Sequence, residues 1–196
     1  IYGNGMVKLK QTLYPSGSEL PELPRFGMKT TIPSSFNSLE WFGRGPHESY
    51  WDRKSSTRID RFAGKVWDQT FKYVRPQETG NKTDVRWMAM YNGSVGIMAK
   101  GIPFFDGSVH HYNYANLYHA KGSQLHGAID IKKENQIDWL IDFKQMGVGG
   151  DNSWGAKPHK KYTLPMDTST YSLEYVLIPF SQKNQLEELA RINLDD

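Results

Sequence analysis

The chain contains no cysteine. That absence excludes disulfides, thiolate metal ligands and cysteine nucleophiles together. It suits cytoplasm and periplasm equally, so the compartment stays open. No apolar run approaches the ~18–20 residues of a membrane span, so no membrane partner is expected. Ile1–Gly5 lacks signal-peptide character, and a chain that opens on Ile1 reads as a piece of a longer one. Excess charge is also missing. Lys and Arg number 24 against 21 Asp and Glu, a net charge of +3, without long runs of one sign. A nucleic-acid partner is therefore not expected. The sequence has no HExxH pair, no G-x-S-x-G elbow and no GxGxxG nucleotide loop.

Aromatic and turn-forming residues are abundant. Six Trp, 11 Tyr and 9 Phe accompany 18 Gly and 10 Pro in 196 residues. Short segments, frequent turns and large flat side chains point to an all-β fold. Val7, Leu9, Gln11 and Leu13 alternate with Lys8, Lys10 and Thr12, the period of a half-buried strand. Arg25–Ile32 and Leu39–Phe42 are further strand candidates. His47–Asp60 reads as a polar loop, and Gly64–Val74 contains β-formers. Thr83–Met90 and Gly93–Lys100 form a predicted hairpin around Asn92-Gly93. Val109–Tyr114 is another candidate, and Gly127–Lys133 with Gln136–Phe143 a second hairpin. Tyr171–Ile178 carries apolar residues on both alternating sets, as a strand buried on both faces would. Gln182–Ile192 alone has a helical stripe, Leu186, Leu189 and Ile192. The simplest organisation is one β domain over residues 1–180 and a helical tail over 181–196.

Three polar constellations stand out. Glu48, Asp52 and Arg53 crowd six residues of Gly45-Pro46-His47-Glu48-Ser49-Tyr50-Trp51-Asp52-Arg53. A charge-paired structural loop is the expected role. In the second, Tyr73 to Gly80 followed by Arg86-Trp87, Glu78 and Arg86 are placed to pair across a hairpin. The third is Met146-Gly147-Val148-Gly149-Gly150-Asp151-Asn152-Ser153-Trp154. Its glycines admit close backbone approach, Asp151 and Asn152 offer hydrogen-bonding groups, and Trp154 offers a flat apolar face. A sugar ring presents C–H faces and hydroxyls, which suits this set. A purely structural loop accounts for it equally. His110, His111, His119 and His126 could share a metal only in part, because adjacent strand residues face opposite ways. No metal site is expected.

These blocks together resemble the C-terminal small-chain domain of glycoside hydrolase family 2 β-galactosidases. The resemblance rests on Leu23-Pro24-Arg25-Phe26-Gly27-Met28, on Trp41-Phe42-Gly43-Arg44-Gly45-Pro46 running on to Arg53, and on the second and third constellations, in the family's order. Val109–His126 departs from the family pattern, and Gln182–Asp196 runs past its usual end.

The resemblance implies an antiparallel β super-sandwich, galactose mutarotase-like in fold. It implies a non-catalytic domain. The two glutamates of the retaining reaction belong to a (β/α)8 barrel elsewhere in the parent chain, as do most ligands of the parent's Mg2+. No cofactor is implied for this chain. Trp154, with Asp151 and Asn152 beside it, would contact the aglycone or acceptor sugar of a β-galactoside. The implied partners are the catalytic barrel and other domains of a parent enzyme that is itself a homo-oligomer. Two other functions compete with this one. The chain could be an autonomous carbohydrate-binding module, or an aldose 1-epimerase using His110, His119, Glu48 or Glu78 as acid and base.

Overall fold

The computed structural model describes residues 1–16, 20–74, 77–117, 131–152, 154–167 and 169–193. Among the described residues, eight antiparallel strands form one branched sheet. They are β1 (Val7–Leu13), β2 (Arg25–Pro33), β3 (Ser38–Gly45), β4 (Arg58–Lys65), β5 (Lys82–Asn92), β6 (Val95–His110), β7 (Gln136–Gln145) and β8 (Tyr171–Phe180). The path runs β1-β8-β6-β5-β3-β4, with β7 also on β6 and β2 on β7.

The branch point is β6. Gly96–Gly101 pairs with β8, and Asp106–His110 pairs with β7. Both partners take the edge that β5 leaves free. The change of partner falls at Gly101-Ile102-Pro103, where Pro103 has no N–H to give to a ladder. Two arms, β8-β1 and β7-β2, thereby spring from one long strand.

Packing follows the two-residue period. Met88 and Met90 of β5, with Leu173 and Tyr175 of β8, join Trp41, Phe105, Ile137 and Trp139 in the main core. Leu9, Met28 and Ile32 pack against it from the arms. Trp87, Ala89 and Tyr91, with Val176, Ile178 and Phe180, point the other way into a second cluster. β8 is therefore buried on both faces, as its sequence predicts. The outer cluster is closed by α1 (Leu186–Ala190), whose Leu186 is 1% exposed. The all-β, antiparallel, sandwich-like class agrees with the expectation.

Several element boundaries differ. Leu39–Phe42 is the middle of a longer strand. β4 begins inside the expected loop at Arg58, and residues 67–69 after it form a 3-10 turn. Val109 and His110 end β6, and no separate strand follows through Tyr114. Of the expected Gly127–Lys133 strand, residues 127–130 lie outside the described residues, and 131–133 are not strand. β7 takes β2 and β6 as partners instead.

Candidate functional site

The segment Gly45–Arg53 leaves β3 and is fastened at several points. Ser49 N–H donates to the Asn81 carbonyl at 2.8 Å, and Asn81 Nδ2 returns to the Ser49 carbonyl at 2.9 Å. Tyr50 and Arg53 exchange backbone bonds of 3.0 and 2.9 Å, which closes a tight turn around Trp51 and Asp52.

Glu48 is occupied on both oxygens. Oε1 accepts from Arg53 Nη2 at 2.6 Å and from the Tyr73 hydroxyl. Oε2 accepts from Gly80 N–H at 2.7 Å and Thr79 Oγ1 at 3.1 Å. A carboxylate with four donors is a structural clasp between two loops. The paired-loop expectation for Glu48 and Arg53 agrees with this geometry.

Asp52 has another role. Its Oδ1 accepts from Val148 N–H at 3.2 Å and its Oδ2 from Gly149 N–H at 2.8 Å. The carboxylate thus latches the glycine-rich loop that follows β7. A Cβ on Gly147 would stand 2.6 Å from Asp52 Oδ2, and one on Gly150 would stand 2.2 Å from the Ala156 carbonyl oxygen. Glycine at 147 is what lets the chain pass that close. Gly147 N–H also donates to the Tyr162 carbonyl at 2.8 Å. Trp51 meets Tyr162 edge-on at 5.9 Å, and Lys144 Nζ lies 4.1 Å from the Trp51 ring centre. Trp51 and Asp52 therefore brace both ends of the loop.

The loop presents the residues expected from sequence. Trp154 is 92% exposed. Asn152 Oδ1 accepts from Trp154 N–H at 2.8 Å, so Asn152 shapes the turn that carries the ring. Asp151 Oδ1 lies 2.8 Å from His159 Nε2. Asp52, Gly149, Gly150, Asp151, His159 and Tyr162 line a shallow cavity of about 230 Å3 beside them. Asp52, His159 and Tyr162 are the members that sequence reasoning did not assign to this site. Asp52 stood in the first motif, but a separation of 96 residues from Val148 gives no pattern to read.

A layer of buried ionisable groups lies under the same end of the sheet. Arg25 is shared between Glu78, at 3.6 Å, and Asp142, which accepts its Nε at 3.1 Å. This corrects the expected Glu78–Arg86 pair. Arg86 instead donates to the Asp84 carbonyl at 2.5 Å and lies over the Phe104 ring. Burial pushes the Glu78 carboxyl up to about 7 and that of Asp142 to about 6, with Arg25 acting against both shifts. Asp106 is pushed up to about 8 by burial, and the Lys82 ammonium down to about 8. Burial brings His110 down to about 3, and its Nδ1 is 2.9 Å from the Tyr112 hydroxyl. Neither Glu78 nor Asp142 borders the loop cavity.

The groups an epimerase would need are thus held in separate clasps: Glu48 by its four donors, Glu78 at Arg25, His110 at Tyr112. His119 and His126 lie outside the described residues. Among the described residues no three His, Asp or Glu side chains converge to hold a metal ion.

The family described as β-galactosidase small chain matches residues 1–177. The β-galactosidase of Priestia megaterium is 39% identical over 178 residues, covering 89% of this chain and 17% of that protein. That of Halalkalibacterium halodurans is 32% identical over 181 residues, covering 90% and 17%. That of Vibrio cholerae is 34% identical over 174 residues, covering 88% and 16%. The chain spans about one sixth of the length of these relatives. By the extent of the family match, the chain belongs to the β-galactosidase small chain family.

Proposed function

We propose that this chain is the non-catalytic C-terminal part of a β-galactosidase acting on terminal β-galactosides, and that Trp154 forms part of the aglycone or acceptor subsite. The observation that carries this reading is the placement of Trp154: a ring 92% exposed, on a loop held from below by Asp52. Asp151 and Asn152 shape and border the subsite. The chain supports a catalytic barrel that supplies the two carboxyl groups and the Mg2+ site. The mutarotase-like kinship of the fold belongs to the same reading.

The cavity size favours a shared pocket over an autonomous module. Its 230 Å3 falls below the ~300–1,000 Å3 of ordinary ligand sites, so a sugar here needs a second wall. The test is Trp154→Ala in the parent enzyme. Loss of ring stacking, about 1 kcal/mol, predicts an acceptor affinity about fivefold weaker, with transglycosylation reduced more than bond cleavage. Unchanged acceptor affinity would overturn the assignment. Titration of the chain alone with galactose and lactose, read at the indole N–H signals, addresses the module. No saturable shift is expected, and a saturable shift of Trp154 would show unaided recognition.

A further inference from the structure

A larger cavity opens on the face of the sheet to which Trp87 of the second cluster belongs. It encloses about 480 Å3 between α1 and the strands β3 to β6. That volume lies inside the ~300–1,000 Å3 range of small-ligand sites. It shares no lining residue with the glycine-rich loop.

Its floor is apolar. Phe42 of β3, 37% exposed, offers an open ring face beside the buried Trp87 of β5. Its rim is cationic. Arg61, Arg86, Lys100 and Arg191 all line the opening, against one carboxylate, Glu187. Glu187 and Glu40 both engage Arg61, and Lys183 Nζ lies 3.9 Å from Glu40, so those four charges balance.

Among the described residues, no carboxylate forms a salt bridge with Arg86, Lys100 or Arg191. Arg86 donates to the Asp84 carbonyl, and Lys100 Nζ to the Ile192 carbonyl. Carbonyls satisfy donors but supply no net charge. Burial draws the Lys100 ammonium below the ordinary lysine range. An anion placed beside it would reverse that pull.

We propose that this cavity binds a ligand with a flat apolar body and one anionic group, the class of an aryl carboxylate. The body lies over Phe42, and the anion sits among Arg86, Lys100 and Arg191. A bare anion would leave the apolar floor uncovered. A neutral ring would leave three cations with no carboxylate partner among the described residues. This site is independent of the proposed role of Trp154.

Calorimetric titration of the chain with 2-naphthoate, 2-naphthamide and acetate tests it. Naphthoate should bind saturably below about 10 mM, and the neutral amide and acetate at least about tenfold more weakly. Raising salt from about 50 to about 500 mM should weaken naphthoate severalfold and leave the amide unchanged. The Arg86→Gln/Arg191→Gln variant should lose naphthoate affinity about tenfold or more, while Trp154→Phe keeps it. Three results would overturn the proposal: no saturable naphthoate binding, equal affinity for the amide, or a folded double variant that binds normally. The comparison of the three probes uses the unaltered chain, so it decides the matter even if the variant fails to fold.

Discussion

Replacing Asp52 by alanine removes the only side chain seen to accept from the Val148 and Gly149 N–H groups among the described residues. Hydrogen bonds to a charged acceptor contribute about 1.5–3 kcal/mol each. Asp52 is half-buried, and water can replace part of what is lost, so the lower end applies. The pair then holds the loop closed by about 2–3 kcal/mol. That converts to a local opening constant about 30- to 160-fold larger in Asp52→Ala. Amide hydrogen exchange followed by NMR reads it directly. Val148 and Gly149 should exchange faster by that factor, while β5 and β6 amides keep their protection. Asp52→Asn retains one carbonyl acceptor and should fall between the two. Two results would refute the reasoning. Unchanged exchange at Val148 and Gly149 would mean that the carboxylate does not hold the loop. An equal rise throughout β5 and β6 would mean that Asp52 stabilises the whole domain rather than the loop.

Two further outcomes concern the buried layer and the tail. Glu78 has its carboxyl raised by burial to about 7 against an ordinary 4.5, so the folded chain holds a proton there that the unfolded chain releases. Its contribution is fully present below pH 4.5 and is lost as pH rises to about 7. The swing is about 3 kcal/mol, and urea titrations of Glu78→Gln across that window should show a flatter profile than the parent chain. Leu186→Ala removes a side chain 1% exposed from the outer cluster, which should cost about 2–5 kcal/mol in urea unfolding if the tail packs as one body with the sheet. A change below about 0.5 kcal/mol would show the tail to be only loosely attached.

Strands whose physics is local were legible in sequence. Alternation in Val7–Leu13 marks β1, Asn92-Gly93 marks the β5–β6 hairpin with Gly93 at φ +62°, and two-sided hydrophobicity marks β8. Elements decided by tertiary partners were not. Gly101, Pro103 and Gly107 look like strand breakers, yet β6 runs through them because β5 pairs along most of its length. β7 looks like half of a local hairpin, but its ladder is with β2, where Pro33 pairs with Gln136. Glu78 finds Arg25 rather than the nearer-in-sequence Arg86 for the same reason. In the glycine-rich loop, the turn-forming composition and the flat apolar side chain of Trp154 were readable from residue chemistry, and the subsite role proposed for them comes from the resemblance. The latch was not, because one acidic residue in a charged loop carries no sign of the distant N–H groups it meets.

The loop separates holding from touching, and that separation can be tested in the parent enzyme. Trp154 gains little from this chain, since its ring stays 92% exposed. The loop's stability comes instead from Asp52, from Gly147 N–H on the Tyr162 carbonyl, and from Trp51 against Tyr162. Removing the ring should therefore leave the loop closed, and removing the latch should leave the ring present but unplaced. Under the proposed function both changes weaken the acceptor, by different routes. Trp154→Ala loses the contact itself. Asp52→Ala keeps the contact but must order the loop on binding, a cost that preorganisation had removed. If the indole acted only as a greasy surface, without fixed position, Asp52→Ala would retain full acceptor affinity while its loop amides exchanged freely. That pairing of results would keep Trp154 in the subsite and remove Asp52 from any part in placing it.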